Sequence, residues 1–416
     1  MWLKWKTDPM KSKILFVFLF LVIFLKYSFC EEIPTITVEP TSFSKTIIRI
    51  PDFEGDKNLS AQLTPLLRKL LNYHLFVLAL KNPPLQNYPS KEYYLVGNVE
   101  KRENEIFIKA ELRDNLENKV LKIYKTSGSS DYPQTLIYAL CDKLIESISH
   151  YKGVAFTKIV FVKRTSKGDK LYVADFSKEN PRLLRSAPLI LFPKFSKSGN
   201  KIAYLVYEEN RYFLEIYNLK DSTKEKFTIK GICSAPVWFP NEKELVITAE
   251  EGQEMVLYRF NTETKELTPL IKGKGILQAG SVSPGGNFLA YVYGEKAGNP
   301  QIYLLDLETL KPYKIPQKRI YNTSPRFSPQ GEYLLFLSKG GGVSSVNLYN
   351  LKTKEQKEIK FSGNLEDPAF SPTGDYLIAF GEGKEGKGLY LIHLDSSLTY
   401  LYLLGSNFIF PDWAEL

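Results

Sequence analysis

Hydrophobic and polar positions alternate through most of the chain beyond residue 157, in short runs that are separated by polar turns. Two pairs of such runs are residues 201–206 with 213–218, and residues 333–337 with 346–350. They are rich in Val, Ile, Leu, Tyr and Phe, with Gly, Asn, Pro and Ser between them, which is typical of strands and hairpins. The pattern therefore predicts an all-β region in the C-terminal part of the chain.

A motif of the form Pro-x-aromatic-Ser-Pro-x-Gly divides this region into repeats. It returns in steps of 43, 45, 44, 43 and 43 residues, beginning at Pro193, Pro236, Ser281, Pro325, Pro368 and Pro411. So steady a period indicates an array of units that bury their faces by stacking on their neighbours. Four short strands in a repeat of this length predict one blade of a β-propeller.

The two ends of the array predict how the ring closes. Residues 158–162, 170–176 and 182–185 supply the second, third and fourth strands of a blade that lacks its own first strand. Residues 410–416, at the other end, supply that missing strand. We therefore predict six blades, one of them assembled from both ends, because such closure removes the open edges through which sheets aggregate.

The region before the propeller has a different pattern. Five leucines are spaced as on one face of a helix, with Asn58 or Ser60 as its cap: Leu63, Leu66, Leu67, Leu70 and Leu71. A second helix is predicted over residues 133–149, and strands are predicted over residues 46–50, 93–97, 105–112 and 119–124. The predicted fold class is thus two-domain: an N-terminal α/β domain, residues 31–152, and a C-terminal all-β six-bladed β-propeller, residues 156–416, closed by its terminal strand.

Residues 1–30 are predicted to be a cleaved signal peptide. Basic residues precede an apolar run, residues 14–25, whose twelve residues are fewer than the roughly 20 that span a membrane. Small residues on either side of Phe29 fit cleavage before Glu31. Two alternatives remain open, a lipoprotein that carries its lipid on Cys30 and an uncleaved membrane anchor.

Charge and cysteine content argue against two classes of protein, those that bind nucleic acid and those held together by disulfides. Without residues 1–30 the formal charge falls from +9 to +5, because five Lys and one Asp are removed, and no block of five like charges remains. This argues against nucleic-acid binding. Cys141 and Cys233 are too few for a disulfide framework, so we expect two buried free thiols in separate domains, with one bridge as the alternative.

Residues suited to catalysis are few. The three histidines, His74, His150 and His393, have no metal-ligand spacing, and the chain has no P-loop or Ser nucleophile elbow. We therefore expect no catalytic residue, no cofactor and no metal. His393 is expected to be a packed or a surface residue, although it is the one histidine with a tunnel-facing alternative. The acidic pair Glu366 and Asp367, in a predicted loop near the propeller axis, is expected to be solvated, with a bound cation as the alternative.

Several segments carry a resemblance to a known family. They are residues 94–99 (YLVGNV), 107–114 (FIKAELRD), 152–162 (KGVAFTKIVFV), 171–175 (LYVAD) and 410–416 (FPDWAEL). In this order, after an export signal, they resemble the TolB family of periplasmic Tol-Pal proteins. The family's repeat usually reads Ser-Pro-Asp-Gly, whereas here its Asp is replaced by Ser198, Gly285, Gln330 or Thr373, and residues 236–241 lack the Gly.

The resemblance implies binding rather than catalysis. It implies that the loops leading into the first strand of each blade bind a Pal-like peptidoglycan-associated lipoprotein, here through Ile232, Cys233, Ser234, Ala235, Leu277, Gln278, Ala279, Gly280, Asn322, Thr323, Ser324, Leu365, Glu366 and Asp367. It also implies that the segment after the signal binds a TolA-like inner-membrane protein, here through Glu31, Glu32, Ile33, Pro34, Thr35, Ile36, Thr37, Val38, Glu39 and Pro40. The alternative is an exported carbohydrate- or metal-binding propeller with no Tol-Pal role, since the 26 Tyr and 26 Phe include candidates for sugar stacking; most of them are expected to pack blade against blade. A propeller-gated peptidase is not expected, because it needs a further α/β-hydrolase domain.

Overall fold

The computed structural model describes residues 45–82, 92–179, 181–228, 234–295 and 298–415. The predicted signal peptide, residues 1–30, and the predicted tail, residues 31–40, lie outside the described residues. So do Ile232 and Cys233 of the predicted lipoprotein-binding face.

The first part of the described chain is a mixed sheet with two helices. The helices are α1 (Lys57–Tyr73) and α2 (Gln134–Ile148). The strands are β1 (Thr46–Arg49), β2 (Glu54–Gly55), β3 (Val77–Leu80), β4 (Glu92–Arg102), β5 (Glu105–Asp114) and β6 (Val120–Ser129). The sheet has the order β3-β1-β4-β5-β6, with β2 beside β4. This is the α/β fold that the sequence predicts.

Helix α1 buries the five predicted leucines, each at most 4% exposed. They share one core with α2 and with sheet residues such as Leu95 and Ile108. The predicted cap is wrong. Asp56 caps the helix, and its Oδ1 accepts hydrogen bonds from the backbone N–H groups of Asn58 (2.9 Å) and Leu59 (3.0 Å). A carboxylate at this position satisfies N–H groups that have no partner within the helix.

The rest of the described chain forms six four-stranded antiparallel sheets arranged as propeller blades. Five of them are consecutive along the chain. Their strands are β10 (Leu189–Phe195), β11 (Lys201–Glu208), β12 (Arg211–Asn218) and β13 (Lys224–Thr228); β14 (Val237–Trp238), β15 (Glu244–Glu251), β16 (Glu254–Asn261) and β17 (Leu267–Gly273); β18 (Ile276–Val282), β19 (Phe288–Gly294), β20 (Gln301–Asp306) and β21 (Pro312–Lys314); β22 (Tyr321–Phe327), β23 (Tyr333–Gly340), β24 (Val343–Asn350) and β25 (Gln356–Phe361); β26 (Asn364–Phe370), β27 (Tyr376–Gly383), β28 (Gly386–His393) and β29 (Thr399–Leu404).

The sixth blade joins both ends of the propeller. It consists of β30 (Phe408–Glu415), β7 (Thr157–Thr165), β8 (Gly168–Asp175) and β9 (Arg182–Ala187), in that order across the sheet. The indole N–H of Trp413 on β30 donates to Thr157 Oγ1 on β7 (2.8 Å), and the Trp413 side chain is 6% exposed. The predictions of six blades and of a closing terminal strand are confirmed.

The repeated motif forms the turn between the first and second strands of a blade. The hydroxyl of its Ser accepts a backbone N–H five residues later, at Ser196, Ser283, Ser328 and Ser371, over 3.0–3.2 Å. Its Gly adopts a φ of 69° to 86° and donates its N–H to the carbonyl of that Ser. In the repeat that lacks Gly, Glu242 takes this left-handed position with φ 56°. The turn therefore survives the departures from the family motif.

The α/β region packs on the propeller face that carries these turns, which we call the turn face. Tyr376, two residues after the Gly374 turn, donates its hydroxyl to the carbonyl of His74 over 3.0 Å. Tyr138 on α2 donates to the Asp175 carboxylate at the end of β8 over 2.7 Å. We call the opposite face, where the first strand of each blade begins, the loop face.

Candidate functional site

The first strand of each blade lines the central channel, and a bulge interrupts most of these strands. The pairing register shifts in β10, β18, β22, β26 and β30, next to a Pro in four of them and at Gly280 in β18. A bulge redirects a side chain and bends the strand. The residue before the Pro has a left-handed φ of 51° to 55° at Phe192, Ser324, Asp367 and Phe410.

Two of these residues are aromatic and lie in contact. The ring centroids of Phe192 and Phe410 are 4.6 Å apart with an interplanar angle of 59°, and both residues are half-buried. A bulky residue with positive φ costs free energy, of order 1–3 kcal/mol, and such strain clusters at binding and catalytic sites. This strained aromatic pair marks the loop-face end of the channel, beside the junction of the first and last blades.

Four charged side chains occupy the channel interior. Lys194 Nζ lies 3.4 Å from Asp412 Oδ1, and Asp412 Oδ2 accepts the backbone N–H of Phe195 over 2.7 Å. Arg326 donates through Nη1 to the Gly280 carbonyl over 2.7 Å, while its Nε is buried without a hydrogen-bond partner in the described part of the chain. Burial raises the pKa of the Asp367 carboxyl, and nearby Lys194 and Arg326 oppose this rise.

The same burial acts on the two cations. It lowers the pKa of Lys194, and the adjacent positive charge of Arg326 lowers it further, whereas Asp412 and Asp367 work in the opposite direction. Burial also lowers the pKa of Arg326. The channel therefore carries two cations and two carboxylates; Lys194 is buried, whereas Arg326, Asp367 and Asp412 are partly exposed.

A cavity of about 460 Å³ opens on the turn face below these charges. Its walls include Lys194, Trp238, Arg326 and Asp412. The α/β region packs on this same face, through the Tyr376 and Asp175 contacts described above. The loop face carries neither of these two contacts.

One group of potential metal ligands lies between the α/β region and the propeller. Atoms of His74, Cys141 and Asp142 that could ligate a metal lie within 4.8 Å of one another. His74 Nε2 accepts the backbone N–H of Val154 (3.1 Å), and its Nδ1 lies 3.0 Å from the Leu70 carbonyl. Both Asp142 oxygens accept backbone N–H groups of the connecting segment. These ligand atoms hold the connection to the propeller instead of standing free for a metal.

His393 is packed, in agreement with the residue-based expectation. It is 0% exposed and lies against Phe76, Tyr151 and Tyr376 at ring-centroid distances of 4.7–5.4 Å. Its Nδ1 is 2.7 Å from the Ser396 hydroxyl. His393 thus belongs to the contact between the α/β region and the turn face, away from the channel.

A family model described as the TolB beta propeller domain matches residues 145–416 of this chain. The chain belongs to the TolB family. The described residues contain no helix that is both long and apolar enough to cross a membrane.

Individual relatives agree with this assignment. The Tol-Pal system protein TolB of Ruthia magnifica subsp. Calyptogena magnifica is 28% identical over 188 residues, which cover 43% of this chain and 44% of that protein. A TolB homolog of Chlorobium luteolum is 30% identical over 186 residues, covering 44% and 42%. The chain thus spans less than half the length of these curated relatives in the matched region. The crystal structure of TolB from Acinetobacter baumannii shares the fold, with a TM-score of 0.80, 20% identity, and coverage of 89% of this chain and 96% of that one.

Within this TolB-family fold, the residues expected to bind a lipoprotein lie mostly in strands, not in loops. Those at 277–280, 322–324 and 365–367 belong to β18, β22 and β26, so the loop assignment was wrong. Because side chains alternate between the two faces of a strand, these residues fall into a buried group and an exposed group. Five are buried and offer no side chain to a partner: Leu277, Ala279, Gly280, Asn322 and Leu365. Asn322, for example, is held by Ser338 and by the Arg319 carbonyl.

The remaining described residues are partly or fully exposed: Ser234, Ala235, Gln278, Thr323, Ser324, Glu366 and Asp367. Glu366 accepts hydrogen bonds from Lys339 (3.1 Å) and Asn364 (3.0 Å). The hydroxyl groups of Ser234 and Thr248 share a hydrogen bond. This exposed subset, at the first-strand starts of four blades, surrounds the loop-face end of the channel.

Phe192 and Phe410 were missed by the sequence analysis, which considered only four of the six blades at this face. Both precede the Pro of the motif, as Ser324 and Asp367 do in their own repeats. Alignment of the six repeats at that Pro would have shown two aromatic residues in one ring of positions. We define the channel mouth as Phe192, Phe410, Ser324, Asp367 and Ala235.

Proposed function

We propose that this chain is a scaffold protein of the Tol-Pal envelope system, active in the periplasm after export by residues 1–30. In this proposal the channel mouth binds a Pal-like peptidoglycan-associated lipoprotein, and the tail, residues 31–40, binds a TolA-like inner-membrane protein. Through these two contacts the protein supports outer-membrane integrity and constriction during cell division. The observation that carries the proposal is the strained aromatic pair Phe192–Phe410 on the face that the α/β region leaves open.

The geometry of the mouth suits protein binding. Affinity at protein interfaces is concentrated in a few aromatic or Arg side chains near the centre of the contact. Phe192 and Phe410 lie beside the junction of the first and last blades, each partly packed against a hydrophobic core cluster, and the partly exposed Glu366 and the exposed Gln278 lie at the same face. Because bulges in a closed ring fix these side chains, little conformational entropy is lost on binding.

The chemistry of the described residues favours binding over catalysis. The two histidines that are fully buried, His74 and His393, are engaged in contacts between the α/β region and the propeller. Burial lowers the pKa of each to about 4, so both are neutral near pH 7. The two curated relatives are named as a Tol-Pal system protein and as a TolB homolog, and neither name states a reaction.

The test is a direct binding measurement with single substitutions at the mouth. The mature chain, residues 31–416, is titrated with the Pal-like lipoprotein of the same organism, freed of its lipid. Phe192→Ala and Phe410→Ala should each weaken binding about 10- to 100-fold, the usual cost of removing a central anchor. Phe288→Ala is the matched control, because Phe288 is 37% exposed and begins β19 on the turn face. Equal weakening by all three substitutions, or by none, would remove the mouth from the binding site.

The tail is tested separately. Deletion of residues 31–40 should abolish binding of the TolA-like protein and leave binding of the Pal-like lipoprotein unchanged. A segment that docks or is released gives two discrete states, which suits a switch between partners. Equal loss of both partners would contradict the assignment of separate sites.

A second candidate function is favoured by the same aromatic pair. Partly exposed aromatic rings in an exported protein also stack against sugars, and the carboxylates of Glu366 and Asp367 lie at the same face. In the titration above, a glycan fragment that saturates the mouth while the lipoprotein fails to bind would move the function to a carbohydrate-binding propeller.

A further inference from the structure

The outer edge of β6 is an open strand edge on the α/β region. Strand β6 pairs with β5 on one side and is the last strand of its sheet within the described chain. Seven of its ten residues are exposed, and helix α2 contacts it on one sheet face, where Lys122 Nζ donates to Ser147 Oγ over 2.9 Å. Unpaired backbone N–H and C=O groups along such an edge are a template for pairing with another strand.

The other sheet edges of the described chain are less suited to pairing. The outermost strands of the blades, β9, β13, β17, β21, β25 and β29, have three to seven residues, and β3, at the opposite edge of the α/β sheet, has four. Short edge strands are a common protection against unwanted pairing. Strand β6 instead pairs regularly with β5 from Lys122 to Ser129, an uninterrupted run of eight residues beyond its single bulge.

The side chains along this edge combine apolar and basic character. On the sheet face away from the helices, Ile123 lies beside Glu111, and Lys125 lies directly opposite Lys109. Val120 and Ile123 are 42% and 50% exposed. A strand added outside β6 would cover these exposed apolar side chains.

The opposed lysines indicate the charge of the missing neighbour. Like charges directly opposite each other on a sheet are destabilising. Lys109 is paired with Glu111 at 2.8 Å, whereas Lys125 has no ion pair within the described residues. A carboxylate on a strand added outside β6 would lie next to Lys125 and remove the imbalance.

A cavity of about 350 Å³ lies over β4, β5 and β6 and provides room for a side chain. Its walls include Lys109, Lys125 and Ser127, and also Glu100 and Arg102 of β4, which form an ion pair with each other. It lies on the same sheet face as Ile123, since these residues follow one another at alternate strand positions. An acidic side chain directed to this face therefore meets both space and positive charge.

We propose that the β6 edge binds an extended acidic segment of another protein as an added strand. The segment places an apolar residue beside Ile123 and, two positions away, a carboxylate beside Lys125, because alternate residues of a strand share one face. Backbone hydrogen bonds supply affinity and these two side chains supply specificity, as in other cases of strand addition. A second copy of this chain that paired through its own β6 fits poorly, because β6 contains no carboxylate to place beside Lys125. This surface is separate from the channel mouth.

The test is hydrogen exchange of the mature chain, residues 31–416, with a defined peptide. The peptide is acetyl-Thr-Val-Thr-Glu-Thr-Val-Thr-Glu-amide, and its control has Lys in place of Glu. The acidic peptide should slow amide exchange within residues 120–129, and the basic peptide should not. Lys125→Glu should weaken the acidic peptide roughly tenfold, since an attraction becomes a repulsion. The matched control is Lys352→Glu, an equal charge change at an exposed turn of the propeller, which should leave binding unchanged.

Three results would overturn the proposal. The first is unchanged exchange in residues 120–129 at saturating acidic peptide, and the second is equal slowing by the acidic and basic peptides. The third is slowing that appears without peptide as the protein concentration rises, together with a dimer in sedimentation, which would make a second copy the occupant. Binding of the Pal-like lipoprotein at the channel mouth is unaffected by any of these outcomes, so the two proposals fail independently.

Discussion

Replacement of Asp412 by Ala should destabilise the propeller strongly, because this residue ties the terminal strand to the neighbouring blade. Its Oδ2 accepts the backbone N–H of Phe195 on β10 over 2.7 Å, and its Oδ1 lies 3.4 Å from Lys194 Nζ. The side chains of Lys194 and Asp412 are only 7% and 15% exposed. The substitution thus removes a hydrogen bond to a charged acceptor and leaves a buried ammonium group without its nearest counter-charge.

The expected loss of stability is about 3–5 kcal/mol. The hydrogen bond to the carboxylate contributes about 1.5–3 kcal/mol, and breaking a buried ion pair by removing one partner typically costs about 3–5 kcal/mol in all. Deprotonation of Lys194 limits this cost, since burial already lowers its pKa. When folding lowers the pKa of a lysine, its charged form destabilises the native state. The native state therefore becomes more stable as the pH rises and the lysine loses its proton. The penalty of Asp412→Ala should therefore shrink as the pH rises toward the ordinary lysine pKa of 10.5.

Tryptophan fluorescence reports this loss directly. Of the four Trp residues, Trp2 and Trp5 precede residue 31, so in the mature chain only Trp238 and Trp413 remain. Both are packed at the channel, and Trp238 donates its indole N–H to the Lys194 carbonyl over 3.0 Å. Urea unfolding followed by this signal should show a lower midpoint for Asp412→Ala.

A double-mutant cycle isolates the charge effect. Lys194→Met in the Asp412→Ala background should recover about half of the lost stability, because it removes the unpaired ammonium group but not the loss of the Phe195 hydrogen bond. A loss below about 1 kcal/mol for Asp412→Ala, or purely additive effects of the two substitutions, would refute the account of the channel as a compensated charge set.

Three further outcomes are expected elsewhere in the molecule. Burial lowers the pKa of His74 to about 4 from an ordinary value near 6.5. The folded protein should therefore lose about 3 kcal/mol of stability as the pH falls from about 6.5 to about 4. Urea unfolding at pH 7 and pH 4.5 should show a weaker pH dependence for His74→Gln. Gly280→Ala should cost about 2 kcal/mol or more in the same assay, since a Cβ there would lie 2.4 Å from a proline carbon of the next blade, whereas Gly285→Ala, with its nearest atom 4.0 Å away, should change stability by less than about 0.5 kcal/mol. The Cys141 thiol, 0% exposed, should react with a thiol reagent only on unfolding in a Cys233→Ser chain, and rapid reaction of the native protein would contradict its buried position.

The repeat architecture could be predicted from the sequence because each element carries a local signal. The motif beginning at Pro325 combines Ser328, whose hydroxyl accepts a backbone N–H, with Gly331 at φ 77°. These interactions lie within six residues, so their sequence spacing is enough to identify the turn. The closing strand was predictable for a different reason, namely that an incomplete blade at one end requires a matching strand at the other.

The details of the mouth could not be predicted, because they depend on bulges. A bulge changes which side of the strand each later residue faces. The alternation that predicts burial well at Tyr204 and Phe336, both 0% exposed, therefore fails across Glu366 and Asp367. The left-handed φ of Phe192 likewise has no signature in the sequence, since such a conformation is sterically unfavourable for a bulky residue. Contacts between neighbouring blades, such as that of Phe192 with Phe410, maintain this conformation.

Variation among equivalent positions gives the channel its chemistry. In the third blade Gly280 takes the place of the motif Pro. The residue that follows this position differs in each of the six first strands: Lys194, Val237, Ser281, Arg326, Ala369 and Asp412. The fold requires a bulged inner strand at each of these places but does not prescribe the side chain. A ligand that enters the channel competes for the Asp412 carboxylate, which also holds β10 to β30. Binding in the channel is consequently linked to the stability of ring closure. A partner that preserves the contact of Asp412 with β10 should raise the unfolding midpoint, and one that breaks this contact should raise it less.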